Sequence, residues 1–282
     1  MEIQQKLAAA VEKMPAFPKS VQSILELSRK MDVDPKQIVQ LIEKDPVMTV
    51  KILRVINSAF YALPRKVASI NHAVIMLGIN TIKNMALGLA AAGMLPSRNE
   101  AGFPATEYLV HSLAVAGACR QIASKLGGID PQEAYIAGLL HDFGKIVFAQ
   151  YFPEEFRIAL DLASTGLPLQ AAERQTLGTD HTVAGSMLAE QWQFPATLVA
   201  AIRDHHAEPP PKEGVAVCLF LANQLVKHAE VGSAGNNAIA PFPGDLADRL
   251  SANSWETLSA TLPELPSIYN EARMFAQEGL AA

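Results

Sequence analysis

Hydrophobic residues along this chain recur at helical spacing almost from end to end. After Asp34-Pro35 the apolar positions are Ile38, Leu41 and Ile42. After Asp45-Pro46 they are Val47, Val50, Leu53 and Ile56, and after Asp130-Pro131 they are Tyr135, Ile136, Leu139 and Leu140. Residues three and four apart share one side of an α-helix, so each run predicts a helix with one buried face. In all three, an Asp before a Pro supplies an N-cap carboxylate and a first-turn residue with no N–H to satisfy. The same spacing predicts helices over 3–13, 18–30, 70–77, 80–94, 105–126, 144–152, 154–164, 168–176, 181–192, 196–205, 214–230 and 265–278. No stretch keeps the two-residue alternation of a half-buried strand. The expected fold is all-α, a multi-helix bundle.

Breakers organise the bundle. Residues 97–104, Ser-Arg-Asn-Glu-Ala-Gly-Phe-Pro, are polar and follow a long apolar helix. They divide an expected N-terminal helical lobe, 1–96, from a C-terminal helical lobe, 105–282. Gly232 to Gly244, rich in Gly, Asn and Pro, predicts a mobile loop, and Pro209-Pro210-Pro211 a stiff connector.

Composition narrows the function classes. Half of the 282 residues are apolar, enough for a sizeable core, while aromatics are only 6% and the formal charge is −5. No helix gathers basic residues on one face, which argues against a nucleic-acid surface. Cys119 and Cys218 are far apart and form no CxxC, so they read as small buried residues of a reducing compartment. The opening Met1-Glu2-Ile3-Gln4-Gln5-Lys6 lacks the plan of a signal peptide. The longest apolar run, Met85 to Leu95, stops at Pro96 and is too short to span a bilayer. The expectation is a soluble, cytoplasmic protein with no membrane or nucleic-acid partner.

Candidate chemistry lies in the histidines. Five of the seven fall in the order His111, His141-Asp142, His181, His205-His206, each on a helix face or near a helix end. Singly, such residues are structural or dipole-compensating. As a set, they are the neutral imidazoles and ionised carboxylate that a divalent metal (Fe, Mn or Zn) requires. Between Leu140 and Lys145 a helix is expected to end, with the backbone turning at Gly144, so that His141 and Asp142 point into one cavity. Asp142, with two oxygens, is suited to bridge two ions, and Lys145 to neutralise a bound phosphate. Glu107, four residues before His111, is a weaker ligand candidate whose plainer reading is a solvated first-turn carboxylate. Asp180 reads as the N-cap of the helix opening at His181, and His72 and His228 as surface or capping groups.

These residues resemble the HD superfamily, named for its His-Asp pair, and within it the HDOD family, the HD-related output domain of bacterial signalling proteins. The N-terminal lobe carries the likeness independently, through Met14-Pro15-Ala16-Phe17-Pro18, Asp45-Pro46-Val47-Met48-Thr49-Val50-Lys51-Ile52-Leu53, Asn57-Ser58-Ala59-Phe60-Tyr61, and Leu77-Gly78. The C-terminal lobe carries it through Ala137 to Lys145, Gly178 to Gly185, Trp192-Gln193-Phe194-Pro195 and His205-His206. The likeness spans about residues 10–230. It implies a helical domain that holds divalent metal, with phosphate-ester hydrolysis in the catalytic relatives. Asn57-Ser58 also has a plain physical reading, a helix-ending Asn in left-handed conformation with Phe60 and Tyr61 packed back on the bundle.

Two departures bear on activity. The Gly-Tyr-Pro that follows the His-His pair in cyclic di-GMP-cleaving relatives is replaced by Ala207-Glu208-Pro209. Asn223 stands where the catalytic pattern closes with Asp, offering a neutral oxygen as a weaker ligand. The resemblance therefore leaves two classes. One is a regulatory module acting through contact with signalling proteins, with a partly retained metal pocket. The other is a metal-dependent phosphohydrolase or phosphodiesterase acting on a nucleotide or phosphate ester, with Asp142 and Lys145 as its catalytic groups. With no receiver or kinase-like segment in the sequence, regulation is expected through a separate partner. Pathway and oligomeric state are not legible.

Overall fold

The computed structural model describes residues 3–16, 18–28, 34–96, 98, 100–235 and 238–280. Phe17 of the opening motif, Ser97 and Asn99 of the boundary, and Asn236 and Asn237 of the glycine-rich segment lie outside the described residues. Among the described residues there are α-helices and no strand. In chain order they are α1 (Ile3–Lys13), α2 (Lys19–Ser28), α3 (Pro35–Glu43), α4 (Pro46–Ile56), α5 (Ile70–Leu77), α6 (Ile79–Gly93), α7 (Ala105–Leu126), α8 (Pro131–Leu140) and α9 (Phe143–Tyr151). Then follow α10 (Pro153–Ser164), α11 (Leu169–Leu177), α12 (His181–Gln191), α13 (Ala196–Asp204), α14 (Gly214–His228), α15 (Ala247–Leu250), α16 (Trp255–Ala260) and α17 (Leu265–Leu280), with a 3-10 turn at Gly244–Leu246. The turn, α15 and α16 were not expected from the sequence. They are too short for apolar periodicity to build up.

The chain divides into two compact units that do not follow chain order. Met1–Met14 groups with Leu95–Ala272, and Pro15–Met94 groups with Arg273–Ala282. The expected boundary at 97–104 therefore falls close to one junction, but α1 and the end of α17 each group with the part of the chain remote in sequence.

In the smaller unit, α2 to α6 bury Val21, Ile24, Ile38, Ile42, Ile52, Ile56, Ile70 and Ile82. Asp34 and Asp45 cap α3 and α4 as expected, their carboxylates accepting from the N–H groups of Lys36 and Met48. Asn57 departs from expectation. Its backbone is not left-handed (φ −84°). Its side chain instead clasps Val67, donating to the Val67 carbonyl and accepting from the Val67 N–H, both at 2.8 Å, while also donating to Leu53 O. A side-chain amide can satisfy a peptide's donor and acceptor together, and that ties the loop after α4 in place. Phe60 stacks edge-on against Tyr61 but stays substantially exposed, so it does not plug the core.

The larger unit is organised around α7, whose middle turns are buried on every side. Every residue from Tyr108 to Cys119 is buried. A helix of that kind belongs at the centre of a bundle, and α8 and α14 pack along it. Gly138 lets α8 approach closely, since a β-carbon there would lie 2.6 Å from the Ala116 Cα. No single described helix is long and apolar enough to cross a membrane. The pair α5 and α6 reaches that threshold only jointly and is bent by 118°.

Candidate metal centre

Five helices of the larger unit bring the predicted residues to one place. His111 sits within α7. His141 closes α8 and Asp142 opens α9, so the two-residue break between these helices presents both side chains to one cavity. The turn is therefore at His141-Asp142 and not at Gly144, which is helical. Gly144 is needed for another reason: a β-carbon there would lie 2.0 Å from the His181 carbonyl oxygen, so α9 meets the start of α12 backbone to backbone. His181 is the first residue of α12, and His205 caps the end of α13, with His206 next to it.

The Nε2 atoms of three histidines surround the Asp142 carboxylate. His141 lies 3.2 Å from Oδ2, and His181 and His205 lie 3.3 and 3.6 Å from Oδ1. These are contact distances without hydrogen-bond geometry, and the three Nε2 atoms and Asp142 Oδ1 have no hydrogen-bond partner among the described residues. The opposite ring nitrogens are all engaged. His141 Nδ1 donates to Gly138 O at 2.7 Å, His205 Nδ1 to Ile202 O at 2.6 Å, and His181 Nδ1 to Glu173 Oε2 at 2.5 Å. A carbonyl or carboxylate partner requires the proton on Nδ1, so each Nε2 turns its lone pair to the centre. His111 stands 5.5 Å from His141, ring to ring, and neither of its nitrogens is hydrogen-bonded among the described residues. His206 lies 4.2 Å from His205 and 5.2 Å from His181.

The donor atoms form two groups, Asp142 with His181, His205 and His206, and Asp142 with His111 and His141, each within 4.8 Å. Asp142 belongs to both. An ion about 2.1 Å from each ligand separates neighbouring donors by about 3.0–3.4 Å, close to the spacing around Asp142. Buried lone pairs left without hydrogen bonds are costly unless something coordinates them. The donor set therefore fits a divalent metal, and its nitrogen-rich character suits zinc or iron better than magnesium or calcium.

Electrostatics support the same protonation states. Burial holds His111 well below the usual imidazole range. Burial likewise, with His205, lowers His206, and burial brings His205 down to about 4 against its contact with Asp142. These rings are neutral at pH 7. Burial pushes the Asp142 carboxyl upward, but His141 and Lys145 outweigh it and hold it well below the ordinary carboxylate value. Lys145 Nζ donates to Asp142 Oδ2 at 2.7 Å and to Ala234 O at 3.0 Å.

Not every candidate joins the cluster. Glu107 is exposed at the start of α7 and belongs to neither donor group. Only its backbone carbonyl is used, accepting from Ser233 N. The helical spacing to His111 is right, but four residues along α7 lead out to its solvent end. Asn223 is buried in α14 with Oδ1 unpartnered among the described residues. Asp180 caps α12, as expected, and also meets Arg174 at 2.6 Å. His228 pairs with Glu256 at 3.2 Å, and His72 is exposed on α5. The glycine-rich segment expected to be mobile is tied down at its described residues, by Ser233 N to Glu107 O and Ala240 N to Gln224 Oε1.

Two buried charges of the larger unit escaped the sequence reading. Glu173 of α11 accepts from both the backbone N–H and the ring of His181. Lys227 of α14 is buried, and burial, reinforced by the Lys145 charge, lowers it to about 8. The chain just after it runs past His111 on α7 at Gly232 and meets Lys145 at Ala234 O. Each sits in a run that reads as an ordinary amphipathic helix, with no motif around it.

The family model for the HDOD domain matches residues 14–208. A protein of Treponema pallidum (strain Nichols) is 26% identical over 278 residues, 94% of this chain and 52% of its own length, so the chain spans about half of that relative. Ribonuclease Y of Desulfotalea psychrophila is 34% identical over 117 residues, 42% of this chain and 17% of that enzyme. Among solved structures, a candidate signal transduction protein from Marinobacter aquaeolei VT8 has a TM-score of 0.79 at 26% identity, over 98% of this chain and 65% of that one.

Proposed function

Since the chain belongs to the HDOD family of the HD superfamily, we propose that it is a bacterial regulatory module that acts through contact with signalling proteins and holds a divalent metal in its histidine–aspartate pocket. The observation that carries the metal is the set of buried Nε2 lone pairs and the Asp142 oxygen, all aimed inward and none hydrogen-bonded. His141, His181, His205 and Asp142 would form the inner ligands, with His206 and His111 on either side. The regulatory part of the reading is supported by the family and by the likeness to a candidate signal transduction protein. The neutral Asn223 in place of a carboxylate supports weakened catalysis, because hard cations are held largely by charged oxygen.

A specific observation keeps a second reading, a metal-dependent phosphohydrolase or phosphodiesterase. Asp142 is shared by both donor groups, and Lys145 bonds its outer oxygen. A bound divalent ion supplies a Lewis acid and a water acidified toward neutral pH. The residues of this chain would keep that water's ligand sphere neutral in its histidines, orient Asp142 through Lys145, and set an ammonium beside phosphoryl oxygens. Metal analysis of untagged protein purified without chelator tests the first part. The expected result is stoichiometric iron, manganese or zinc that is lost in His141→Ala. Assays with cyclic dinucleotides and simple phosphate esters plus added Mn²⁺ separate the two readings. The regulatory reading expects no turnover by the parent and gain of activity in Asn223→Asp. Turnover by the parent at ordinary enzyme rates would establish the hydrolase, and a metal-free parent would remove both.

A further inference from the structure

The charge of this chain is divided unevenly between its two units. The smaller unit, Pro15–Met94 with Arg273–Ala282, holds 11 Lys and Arg against 6 Asp and Glu, a formal charge of +5. The larger unit holds 12 against 22, a charge of −10. The smaller unit also keeps most of the apolar exposure. Of the eight large hydrophobic side chains exposed among the described residues, five lie between residues 47 and 76: Val47, Val50, Phe60, Ile75 and Met76. On α4 the inner side buries Met48, Ile52, Val55 and Ile56. Val47, Val50 and Arg54, at i, i+3 and i+7, form the outer stripe, with the two valines 65% and 66% exposed. Grouped apolar side chains left in water, with a polar rim, mark a surface that meets something else.

The rim of this stripe is basic. Lys51 stands one turn before Arg54 on α4. The Asn57 amide holds Val67 by two hydrogen bonds of 2.8 Å, which brings the exposed Arg65 and Lys66 to the C-terminal end of the same helix. Glu278 lies 3.4 Å from Arg54, but both side chains are well exposed, and a pair of that kind contributes little. We infer that the outer face of α4, with the loop that Asn57 ties to its end, docks an acidic amphipathic helix of a partner protein. The partner's apolar stripe would lie along Val47 and Val50, and its flanking carboxylates would meet Lys51, Arg54, Arg65 and Lys66. An anionic bilayer offers the same charge, but surface-bound faces rely on bulky Trp, Phe or Leu anchors, and an anionic surface repels a unit of charge −10. A second copy would set this basic face against its own like charge. The inference rests on the regulatory part of the proposed reading and names the partner's chemistry. It uses no residue of the metal centre.

The probe is a labelled synthetic peptide of about 18 residues, long enough to hold a helix, with Leu on one face and Glu on the other. The comparison peptide has Lys in place of Glu. Fluorescence anisotropy against the full chain should show the acidic peptide binding with a Kd on the order of tens of micromolar, as for a small transient contact. The basic peptide should bind at least about tenfold more weakly. Affinity for the acidic peptide should fall between about 0.05 M and about 0.5 M salt, because the rim charges are screened. Val50→Asp and Lys51→Glu should each weaken it about tenfold while melting as the parent does. No binding of the acidic peptide, equal binding of the basic one, or full affinity in both variants would overturn the surface. Tighter binding to phosphatidylserine vesicles than to peptide, or self-association of the parent that Val50→Asp abolishes, would also overturn it by giving the face another occupant. Metal content and phosphate-ester turnover of the same preparations separate this test from the proposed reading. A parent with metal, no turnover and no peptide binding loses the docking face alone, whereas turnover at ordinary enzyme rates removes the regulatory reading and the partner with it.

Discussion

At the scale of single residues, what distinguishes this pocket is the second ring nitrogen of each ligand-type histidine. Two rings lean on carbonyls three residues back in their own helix, His141 on Gly138 and His205 on Ile202. His181 begins its helix and has no preceding turn to lean on. Glu173 supplies that acceptor from α11, and its Oε2 takes the His181 backbone N–H as well. A carboxylate behind an imidazole fixes its tautomer and raises its basicity. Replacing Glu173 by Gln should therefore lower metal affinity by about 10- to 100-fold, as read by competition with a chromophoric chelator. Affinity equal to the parent would mean that the carboxylate only fills the core.

At the scale of elements, the pocket depends on how closely α9 and α12 approach. Gly144 has an ordinary helical backbone, so the need for glycine there is space and not conformation. An added methyl would run into the His181 carbonyl at 2.0 Å. Both atoms belong to helix backbone, so neither can swing aside. Gly144→Ala should cost about 3 kcal/mol, the upper part of the usual overpacking range, measured as a shift in the urea midpoint. It should also reduce metal retention, because His181 moves with the start of α12. A variant as stable as the parent would show that the two helices can part without penalty. The break between α8 and α9 makes the same point. Two neighbouring residues of a continuous helix point about 100° apart, whereas a helix end followed at once by a helix start lets His141 and Asp142 face one centre.

At the scale of the whole molecule, the buried histidines tie stability to pH. His205 titrates near 4, and His111 and His206 lie well below their ordinary range. In an unfolded chain these imidazoles titrate near 6.5. As the pH falls below about 6.5 the unfolded chain binds protons first, so its free energy drops relative to the folded state. Their contribution to stability is complete above that pH and is lost progressively toward about 4. His205 alone should remove on the order of 3 kcal/mol across this window. Asp142 acts in the same sense at lower pH, since its depressed carboxyl must also be protonated. Urea midpoints of metal-free protein, compared at about pH 7 and about pH 5, should show the loss, and an unchanged midpoint would contradict neutral buried imidazoles.

The sequence by itself determined the helices, their caps and the identity of the metal-ligand candidates. Those are local properties: apolar spacing decides which face is buried, and an Asp-Pro pair marks where a helix starts whatever packs against it. It also held enough motif to place the chain in its family. It did not determine that Glu107 would point to solvent while Glu173 would support His181, that the turn would fall at His141-Asp142, or that Lys227 would be buried. Each of these depends on which helix faces which, over separations of tens to more than a hundred residues. Only tertiary packing removes water from such groups, and the loss of water is what leaves the histidines neutral and the lone pairs unmatched.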